Sequence, residues 1–402
     1  METVRLKIER RSSHPWIFQK MVERPTRKIE PGSIVDIVDR NNQWIGRGVY
    51  NHNSRITLRV LTTFQDEAVD AEFFRNRLLR AIDFRTDLLR LDNCSNAYRL
   101  VHSEGDELSG LVIDRFDSSL AIEYFSLGMY RQRELIKEIL QTRFPGTTIH
   151  EIADEHTQEH EGFFASFTET ISKATITENG VRFRVFPGSK HKTGFFTDQR
   201  DNRAYLASLC HDKKVLDLCC NSGGFGVYAK SIGKAKEVQG VDLDEEVIAQ
   251  AKTNANLNSV QIKFTQADIF AWLRDVLPHG QRWDIVVLDP AKMTRDRDGV
   301  EQAVKKYTDM NRLAIQAVEP GGIFVTCSCT GLVSEDMFAE SVRRAAWQAG
   351  KQLQIFHTSG AGADHPYLAH VQESKYLKVI WGRVTEISKP SFLGNEPTRS
   401  QP

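Results

Sequence analysis

The segment from Lys214 to Lys230, KVLDLCCNSGGFGVYAK, constrains this chain most strongly. An apolar strand is predicted to end at Asp217, and Gly223, Gly224 and Gly226 then begin a helix. Glycine lets the backbone approach a ligand closely, and the amide groups at a helix N-terminus point toward whatever binds there. The segment therefore predicts a nucleotide-cofactor site on a β–α unit.

Two kinds of cofactor are consistent with this loop. Gly224, Gly226 and Ala229 fit the dinucleotide fingerprint G-x-G-x-x-A, so an NAD(P)-dependent dehydrogenase is one hypothesis. In that fingerprint the first glycine directly follows the strand, whereas here Asp217 and five further residues precede Gly223. A carboxylate there would repel a diphosphate but attract the ammonium and sulfonium charges of S-adenosylmethionine. The aspartate favours the methyl donor.

Three further predicted strands are each followed by an acid. Asp242 follows VQGV, a position from which its carboxylate could bind both ribose hydroxyls of a cofactor. NAD enzymes use an acid in the same way, so this residue does not distinguish the two cofactors. Asp268 follows IKFTQA at a helix start, where it could accept from an adenine amine, and Asp289 follows WDIVVL. Each aspartate alone could be a helix N-cap or a turn residue. Four acids at β–α spacing predict a ligand crevice at the carboxyl ends of an open parallel sheet.

These motifs carry a family resemblance. GFFTDQRDNR, DLCCNSGGFG, VDLD, AD and DPAK follow one another as in class I S-adenosylmethionine-dependent methyltransferases. The whole chain resembles the bacterial large-subunit ribosomal RNA cytosine-5 methyltransferases that carry an N-terminal PUA domain. The resemblance implies an α/β chain with a small N-terminal PUA-like β-barrel, an α/β middle domain and a C-terminal Rossmann-like, seven-stranded methyltransferase sheet. The expected boundaries are 1–70, 71–187 and 188–385, with a disordered tail over 386–402.

The resemblance also implies a set of cofactor-binding residues. Most of them lie at or directly after the carboxyl ends of the four predicted strands that each end with an aspartate, and two come from GFFTDQRDNR. They are Phe196, Gln199, Asp217, Asn221, Gly223, Gly224, Asp242, Leu243, Asp268, Ile269 and Asp289.

Composition limits the class of protein. A chain of 402 residues with 40% apolar content can form two or three domains with separate cores. No apolar run reaches the roughly 18 residues of a membrane span, and METVRLKIERR lacks the apolar core of a secretion signal. The six cysteines show no paired metal-ligand spacing. We therefore expect a cytoplasmic protein without a membrane span or a metal site.

Charge and local motifs point to RNA. The net charge is zero, but residues 1–60 contain twelve Lys/Arg and six Asp/Glu, a net of +6. A basic face can follow a phosphate backbone, although solvated charges cover most small domains. HPWIF, EPGSIVDIVD and WIGRGVYN resemble a PUA module, which implies RNA, in this family large-subunit ribosomal RNA, as the partner. The candidate RNA-binding residues are Arg10, Arg11, His14, Lys190, Lys192 and Arg200.

Methylation of cytosine at carbon 5 needs a nucleophilic cysteine. Carbon 5 reacts poorly until a thiolate adds to carbon 6, which makes carbon 5 enamine-like. The segment GGIFVTCSCTG offers Cys327 and Cys329, whose side chains would share a direction if the strand included both. In the resembled family the nucleophile lies in S-C-S/T-G, which implies Cys329, with Cys327 in reserve. The alternative is that both are small buried residues at a strand end.

Two residues of DPAK complete the expected catalytic set. The resemblance implies that Asp289 contacts the cytosine ring, and Lys292 could lower the thiol pKa or bind phosphate. Ala291 and Lys292 replace the second proline and the aromatic residue of amino-directed methyltransferases. Methylation of a guanine or adenine nitrogen stays open as an alternative, as do a dehydrogenase, a non-catalytic RNA-binding assembly factor and a homodimeric state.

Two histidine motifs need separate consideration. His156 and His160 match H-x-x-E-H, the inverted zinc-protease motif, but the polar flank EIADEHTQEHEG favours a solvated helix over a metal site. His365, in ADHPY, could be a capped loop residue or a catalytic one. Between the terminal domains, apolar spacing predicts helices over 71–89 and 131–142 and a hairpin over 98–116.

Overall fold

The computed structural model describes residues 1–10, 12–167, 172–189 and 193–386. The chain forms two compact units. The first contains residues 1–209, 250–261 and 360–377, and the second contains 210–249, 262–359 and 378–402. Three predicted RNA-binding residues, Arg11, Lys190 and Lys192, lie outside the described residues, as does the predicted tail from residue 387 onward.

The N-terminal part of the first unit is a five-stranded sheet. Its strands are β1 (Thr3–Arg5), β2 (Trp16–Ile17), β3 (Ser33–Val38), β4 (Trp44–Tyr50) and β5 (Leu58–Thr62), in the order β1-β3-β4-β5-β2. Only β1 and β3 pair in parallel. Along β3 the buried Val35 and Ile37 alternate with partly exposed neighbours, so one face covers the core. The segments EPGSIVDIVD and WIGRGVYN, which resemble a PUA module, thus contain β3 and β4.

A four-stranded sheet with helices follows. It contains α1 (Ala71–Asp83), β6 (Ala97–His102), β7 (Leu111–Phe116), β8 (Ser119–Tyr124), α2 (Leu127–Arg131), α3 (Arg133–Arg143), β9 (Thr148–Ile152) and α4 (Glu155–Glu161). The strand order is β6-β7-β8-β9, and the predicted hairpin is the antiparallel pair β6–β7. Asp70 caps α1 by accepting from the Phe73 amide. The predicted helix over 71–89 is α1 continued by a π-helical turn at Phe84–Leu88.

The zinc-protease motif lies on α4 without a metal site. His156 and His160 are exposed, their rings stack 4.0 Å apart, and His160 Nδ1 bonds to the carbonyl oxygen of His156. Among the described residues, no group of three or more His, Cys, Asp or Glu side chains is arranged to bind a metal.

The first unit also contains a hairpin and a short helix. Strands β10 (Ala174–Glu178) and β11 (Val181–Val185) pair antiparallel, and α5 spans Arg200–Ser208. Arg203 on α5 donates to both carboxylate oxygens of Glu178, at 2.8 and 2.9 Å, and both side chains are buried. A buried carboxylate paired in this way fixes the helix against the hairpin.

The second unit contains a seven-stranded sheet. The strands and the helices between them are β12 (Lys214–Leu218), α6 (Gly224–Ser231), β13 (Glu237–Asp242), α7 (Glu245–Leu257), β14 (Lys263–Gln266), α8 (Ile269–Val276), β15 (Trp283–Leu288), α9 (Val300–Gln316), β16 (Val318–Ser328), α10 (Glu335–Gln348), β17 (Lys351–Ser359) and β18 (Lys378–Glu386). Residues 250–257 of α7 belong to the first unit. The strand order is β14-β13-β12-β15-β16-β18-β17. In the described part of this sheet, β18 runs antiparallel to the other six strands.

The order of this sheet positions a ligand crevice. The direction of winding reverses between β12 and β15, and ligands of open parallel sheets bind beyond the carboxyl ends of the strands at such a switch point. Four consecutive residues are buried at the end of each of these two strands, which indicates that both faces of the sheet are covered. No helix in the described part of the chain is long and apolar enough to cross a bilayer.

Candidate active site

Asp217 shapes the glycine loop between β12 and α6. It is 1% exposed, and its Oδ2 accepts a hydrogen bond from the Gly226 amide at 2.9 Å. A Cβ atom on Gly226 would lie 3.3 Å from Val238 Cγ1, so a larger residue would crowd the neighbouring strand β13. The bond satisfies one of the amides that lack a partner within the helix. Since a diphosphate would need such amides, this carboxylate disfavours a dinucleotide. A direct contact of Asp217 with the cofactor stays a prediction.

The loop turns through three residues with positive φ. These are Cys219 at 57°, Asn221 at 47° and Gly223 at 81°. The Asn221 side chain stabilises the turn, because its Oδ1 accepts from the Ser222 amide at 2.7 Å. Left-handed backbone is easily adopted by glycine and asparagine and costs more for other residues. The sequence NSGG therefore encodes a tight turn at the N-terminus of α6.

Asp242 joins this loop to the neighbouring strand. Its Oδ2 accepts from the Asn221 amide at 2.9 Å, and its Oδ1 accepts from the Asp244 amide at 3.1 Å. The carboxylate lies at the end of β13 and is partly exposed. Its position at the strand end is confirmed, and the ribose contact stays a prediction.

Asp268 is a helix cap in this structure. Its Oδ1 accepts from the Ala271 amide at 2.9 Å, which caps α8. The flanking predicted cofactor residues differ in exposure: Leu243 is 65% exposed, whereas Ile269 is 7% exposed. Asp268 is therefore a helix N-cap, which was the alternative considered for each aspartate alone. Its carboxylate is exposed, so it can also accept from a ligand.

All four acids act on one side chain. Burial raises the pKa of the Cys219 thiol, and the charges of four carboxylates raise it further: Asp242, Asp289, Asp217 and Asp268, in order of effect. Each negative charge disfavours the thiolate, and the effect requires proximity. The acids therefore share one edge of the sheet, as the strand spacing predicted. That edge suits a ligand with positive charge, and it fits the ammonium and sulfonium groups of S-adenosylmethionine.

Cys329 lies beside the DPAK segment. Its Sγ is 3.9 Å from the carbonyl oxygen of Pro290, directly after Asp289, and the side chain is partly exposed. Cys327 is fully buried within β16, opposite Val379. Strand β16 ends at Ser328, so it does not include both cysteines, and the condition for their side chains to share a direction is not met. The two thiols thus have different environments, and only Cys329 is partly accessible.

The turn after Cys329 is held from several elements. Thr330 Oγ1 accepts from the Met293 amide at 3.0 Å and shares a 2.8 Å hydrogen bond with the Tyr307 hydroxyl. Burial raises the pKa of Tyr307 to about 12. Lys378 Nζ donates to the carbonyl oxygens of Thr330 at 2.8 Å and Val333 at 2.7 Å. Tyr307 and Lys378 were not predicted from the sequence.

The other two DPAK residues occupy the loop after β15. The Asp289 amide donates to the carbonyl oxygen of Leu218 at 3.3 Å, which connects the ends of β15 and β12, and Asp289 is partly exposed. Lys292 is exposed. An exposed lysine is free to reach a phosphate but does not provide a fixed charge beside the thiol.

Several predicted residues lie in the first unit. Gln199 is buried and accepts from Asn202 at 2.7 Å, and the Phe196 carbonyl accepts from Arg203 at 3.0 Å. Their cofactor role stays a prediction. Arg200 differs from its prediction as a phosphate contact: its guanidinium is buried and pairs with Asp364 at 3.0 Å. A buried, paired guanidinium cannot serve an external phosphate.

The predicted N-terminal RNA contacts are structurally constrained. Arg10 Nε donates to the carbonyl of Ser12 at 2.7 Å, and burial lowers its pKa. His14 accepts from the Trp16 amide at 3.1 Å and therefore donates through Nε2 to Glu373, at 3.0 Å. Their RNA role stays a prediction.

His365 is buried, as a structural histidine would be. It is 6% exposed, its Nδ1 lies 3.2 Å from Asp364 Oδ1, and its ring meets that of His102 edge to face at 5.0 Å. These contacts favour the structural alternative for this residue.

Comparison with known proteins places the chain in a family. A PUA-like domain matches residues 8–63, and an S-adenosylmethionine-dependent methyltransferase domain matches residues 161–354. Ribosomal RNA large subunit methyltransferase I of Tolumonas auensis is 40% identical, over 94% of this chain and 98% of that protein. The protein of the same name from Aeromonas hydrophila is 37% identical, over 91% of this chain and 94% of that protein.

Solved structures show the same fold. SMU.776, described as a methyltransferase complexed with SAH, aligns with a TM-score of 0.81 at 18% identity, over 95% of this chain and all of that one. A protein described as a SAM-dependent methyltransferase from Streptococcus mutans aligns at 0.78 with 17% identity, over 95% of this chain and all of that one. These likenesses confirm the fold, with its PUA-like N-terminal domain and seven-stranded sheet.

The chain belongs to the ribosomal RNA large subunit methyltransferase I family. It is an S-adenosylmethionine-dependent methyltransferase. The predicted family and cofactor are confirmed, and the dehydrogenase hypothesis is set aside.

Proposed function

We propose that this member of the family methylates carbon 5 of a cytosine in large-subunit ribosomal RNA, with Cys329 as the nucleophile. The carrying observation is the position of Cys329 Sγ, 3.9 Å from the Pro290 carbonyl and next to Asp289, in a partly exposed side chain. The fully buried Cys327 is much less accessible to a base. Addition to carbon 6 requires a thiol that the base can reach close to the site of the methyl donor, and Cys329 meets the first requirement better than Cys327.

The proposed chemistry proceeds through a covalent adduct with the base. The Cys329 thiolate adds to carbon 6, forming the S–C6 bond and moving electron density to carbon 5. Asp289 would stabilise the adduct by sharing a proton with ring nitrogen 3. Bound S-adenosylmethionine supplies the methyl group. After carbon 5 is methylated, a base removes its proton and the electron pair re-forms the C5–C6 double bond. The S–C6 bond breaks in the same step and releases the Cys329 thiolate.

Residues of the acid-lined edge would hold the cofactor. Asp242 is proposed to bind the ribose hydroxyls, and Asp268 the adenine amine. Asp217 acts indirectly, because its bond to the Gly226 amide sets the loop conformation. Phe196 and Gln199 are proposed to contribute from the GFFTDQRDNR segment. The negative charge of this edge supports binding of a cationic sulfonium.

Ribosomal RNA as substrate is supported by two observations. The relatives at 40% and 37% identity carry large-subunit ribosomal RNA in their names. The PUA-like domain spans residues 8–63, most of which belong to the segment 1–60 that has a net charge of +6. Arg10 and His14 are proposed to support RNA binding from this domain. A basic surface of this kind makes RNA binding salt-dependent.

The test is methyl transfer from labelled S-adenosylmethionine to ribosomal RNA from cells that lack the corresponding activity. We expect wild type and Cys327→Ala to produce 5-methylcytosine, identified after digestion to nucleosides, and Cys329→Ala to produce none. Label in a guanine or adenine nucleoside, with both variants active, would overturn the cytosine chemistry and leave the methyltransferase assignment intact.

A second experiment tests the covalent step directly. RNA that contains 5-fluorocytosine lacks the proton that must leave carbon 5, so the adduct cannot be resolved. Wild type incubated with this RNA and S-adenosylmethionine should form a denaturation-resistant complex. Cys329→Ala should form none, and Cys327→Ala should match wild type. A complex formed by Cys329→Ala would refute the assignment of the nucleophile.

A further inference from the structure

Lys378 is a buried lysine beside the proposed nucleophile. It begins β18 and lies opposite Ser328 in the antiparallel pair β16–β18, one residue before Cys329. Its side chain is 5% exposed. The next four residues of the strand, VIWG, are apolar and buried, so a cation is unexpected at this place. Burying an ammonium is costly unless the group makes compensating interactions.

The ammonium group holds the turn that follows Cys329. Its Nζ donates to the carbonyl oxygens of Thr330 at 2.8 Å and Val333 at 2.7 Å. Thr330 adjoins Cys329 in the chain, and Val333 lies two residues before α10 begins at Glu335. Two bonds from one rigid strand therefore fix the backbone on the C-terminal side of the thiol.

Lys378 also provides charge next to Cys329. Burial lowers the pKa of Lys378 to about 8, while the charges of Cys329 and Glu335 raise it. The interaction is mutual, so a protonated Lys378 favours the Cys329 thiolate. The hydroxyl of Tyr307 faces the same turn through Thr330. Since the lysine remains largely protonated at neutral pH, its positive charge is present where the enzyme operates.

We propose that Lys378 is a positioning residue that orients the turn carrying Cys329 and favours the thiolate form of that cysteine. The role in methyl transfer rests on the proposed function of Cys329. The effect on the thiol itself does not depend on which base is methylated, and it can be measured without RNA.

The test is the pH dependence of Cys329 alkylation by iodoacetamide, read on the Cys329 peptide by mass spectrometry. Lys378→Met removes the charge and should raise the midpoint by about one pH unit, so alkylation below the midpoint slows about tenfold. Lys378→Arg retains the charge and should keep the midpoint nearer that of wild type. The control Lys263→Met, at an exposed position on β14, should leave it unchanged.

The difference between wild type and Lys378→Met should shrink above pH 8, where the lysine loses its charge. A purely structural role predicts equal midpoints in the folded variants, and that result would overturn the proposal. Equal shifts in the Met and Arg variants would also overturn it, since charge would then be irrelevant. If Lys378→Met fails to fold, Lys378→Gln keeps an amide donor without charge and is measured in its place.

An assay of methyl transfer distinguishes a failure of the role proposed for Lys378 from a failure of the proposed function. Lys378→Met should lower kcat about tenfold near pH 7, with the KM for S-adenosylmethionine within about twofold of wild type. If Cys329→Ala retains full activity, the nucleophile assignment fails, whereas the alkylation profile still decides the effect of Lys378 on the thiol. If Cys329→Ala is inactive and the alkylation midpoint of Lys378→Met is unchanged, only the role of Lys378 fails.

Discussion

Lys378 should make the stability of the second unit depend on pH in a defined direction. Its pKa falls from an ordinary 10.5 to about 8 in the folded chain. Between these values the unfolded chain binds more protons than the folded one, so the free energy of unfolding rises with pH. At about 1.4 kcal/mol per pKa unit, the full contribution approaches about 3 kcal/mol.

The measurement is a comparison of wild type with Lys378→Met by urea unfolding between pH 7 and pH 10.5. Methionine does not titrate, so the difference between the two proteins reports the titration of the lysine together with any change that the lysine causes in the titration of Cys329. Loss of the two hydrogen bonds to the carbonyls of Thr330 and Val333 adds an offset of about 1–3 kcal/mol for each carbonyl left without a partner, but this offset does not depend on pH. Only the slope tests the argument.

We expect the stability of wild type relative to Lys378→Met to increase steadily from pH 8 to pH 10.5. For a unit of this size, a gain of about 3 kcal/mol corresponds to about 6–12 °C in Tm. Lys263→Met, which removes an exposed lysine on β14, should show no such slope relative to wild type. A flat difference, or one that falls with pH, would mean that the buried ammonium is not destabilised by the fold and would refute the reasoning.

Three further predictions concern the cofactor loop and a buried ion pair. Gly223→Ala places a side chain at φ 81°, so it should lower the free energy of unfolding by about 1–2 kcal/mol and weaken the binding of S-adenosylmethionine, measured by calorimetry. The control Gly350→Ala, at φ 67° with open space around it, should lower stability without changing that binding. Asp242→Ala removes the acceptor for two loop amides and should weaken that binding at least about tenfold in the same titration, so unchanged affinity would contradict the ribose assignment. Arg200→Met leaves Asp364 buried without its ion pair to Arg200 and should lower the free energy of unfolding by about 3–5 kcal/mol. A variant of normal stability with weakened RNA binding would instead support the phosphate role of Arg200.

The sequence predicted the site at the level of strand ends. An acid after each of four strands at β–α spacing can converge only where parallel strands end together, and the pKa of Cys219 reflects that convergence. The individual roles were less predictable. Asp217 binds a helix amide and Asp268 caps a helix, because an aspartate at a strand end bonds to whichever amide the loop brings to it.

Long-range pairing explains another failed prediction. Arg200 was a candidate RNA-binding residue, yet it pairs with Asp364, 164 residues later in the chain. Nothing local to either residue identifies the partner. The relative orientation of the two cysteines depended on a smaller detail. Strand β16 ends at Ser328 rather than continuing through Cys329, and strand ends cannot be located to one residue from periodicity.

The antiparallel strand explains why Lys378 was missed and how it could be found. In a parallel sheet the catalytic edge is formed by the carboxyl ends of strands, so polar residues are sought after each strand. An antiparallel strand begins at that same edge, and β18 therefore delivers its first residue, Lys378, opposite Ser328. The relevant signal is a charged residue that starts the inserted antiparallel strand and is followed by a run of four apolar ones. In YLKVIWGRV that residue is Lys378, which brings a positive charge to an edge otherwise lined by four carboxylates.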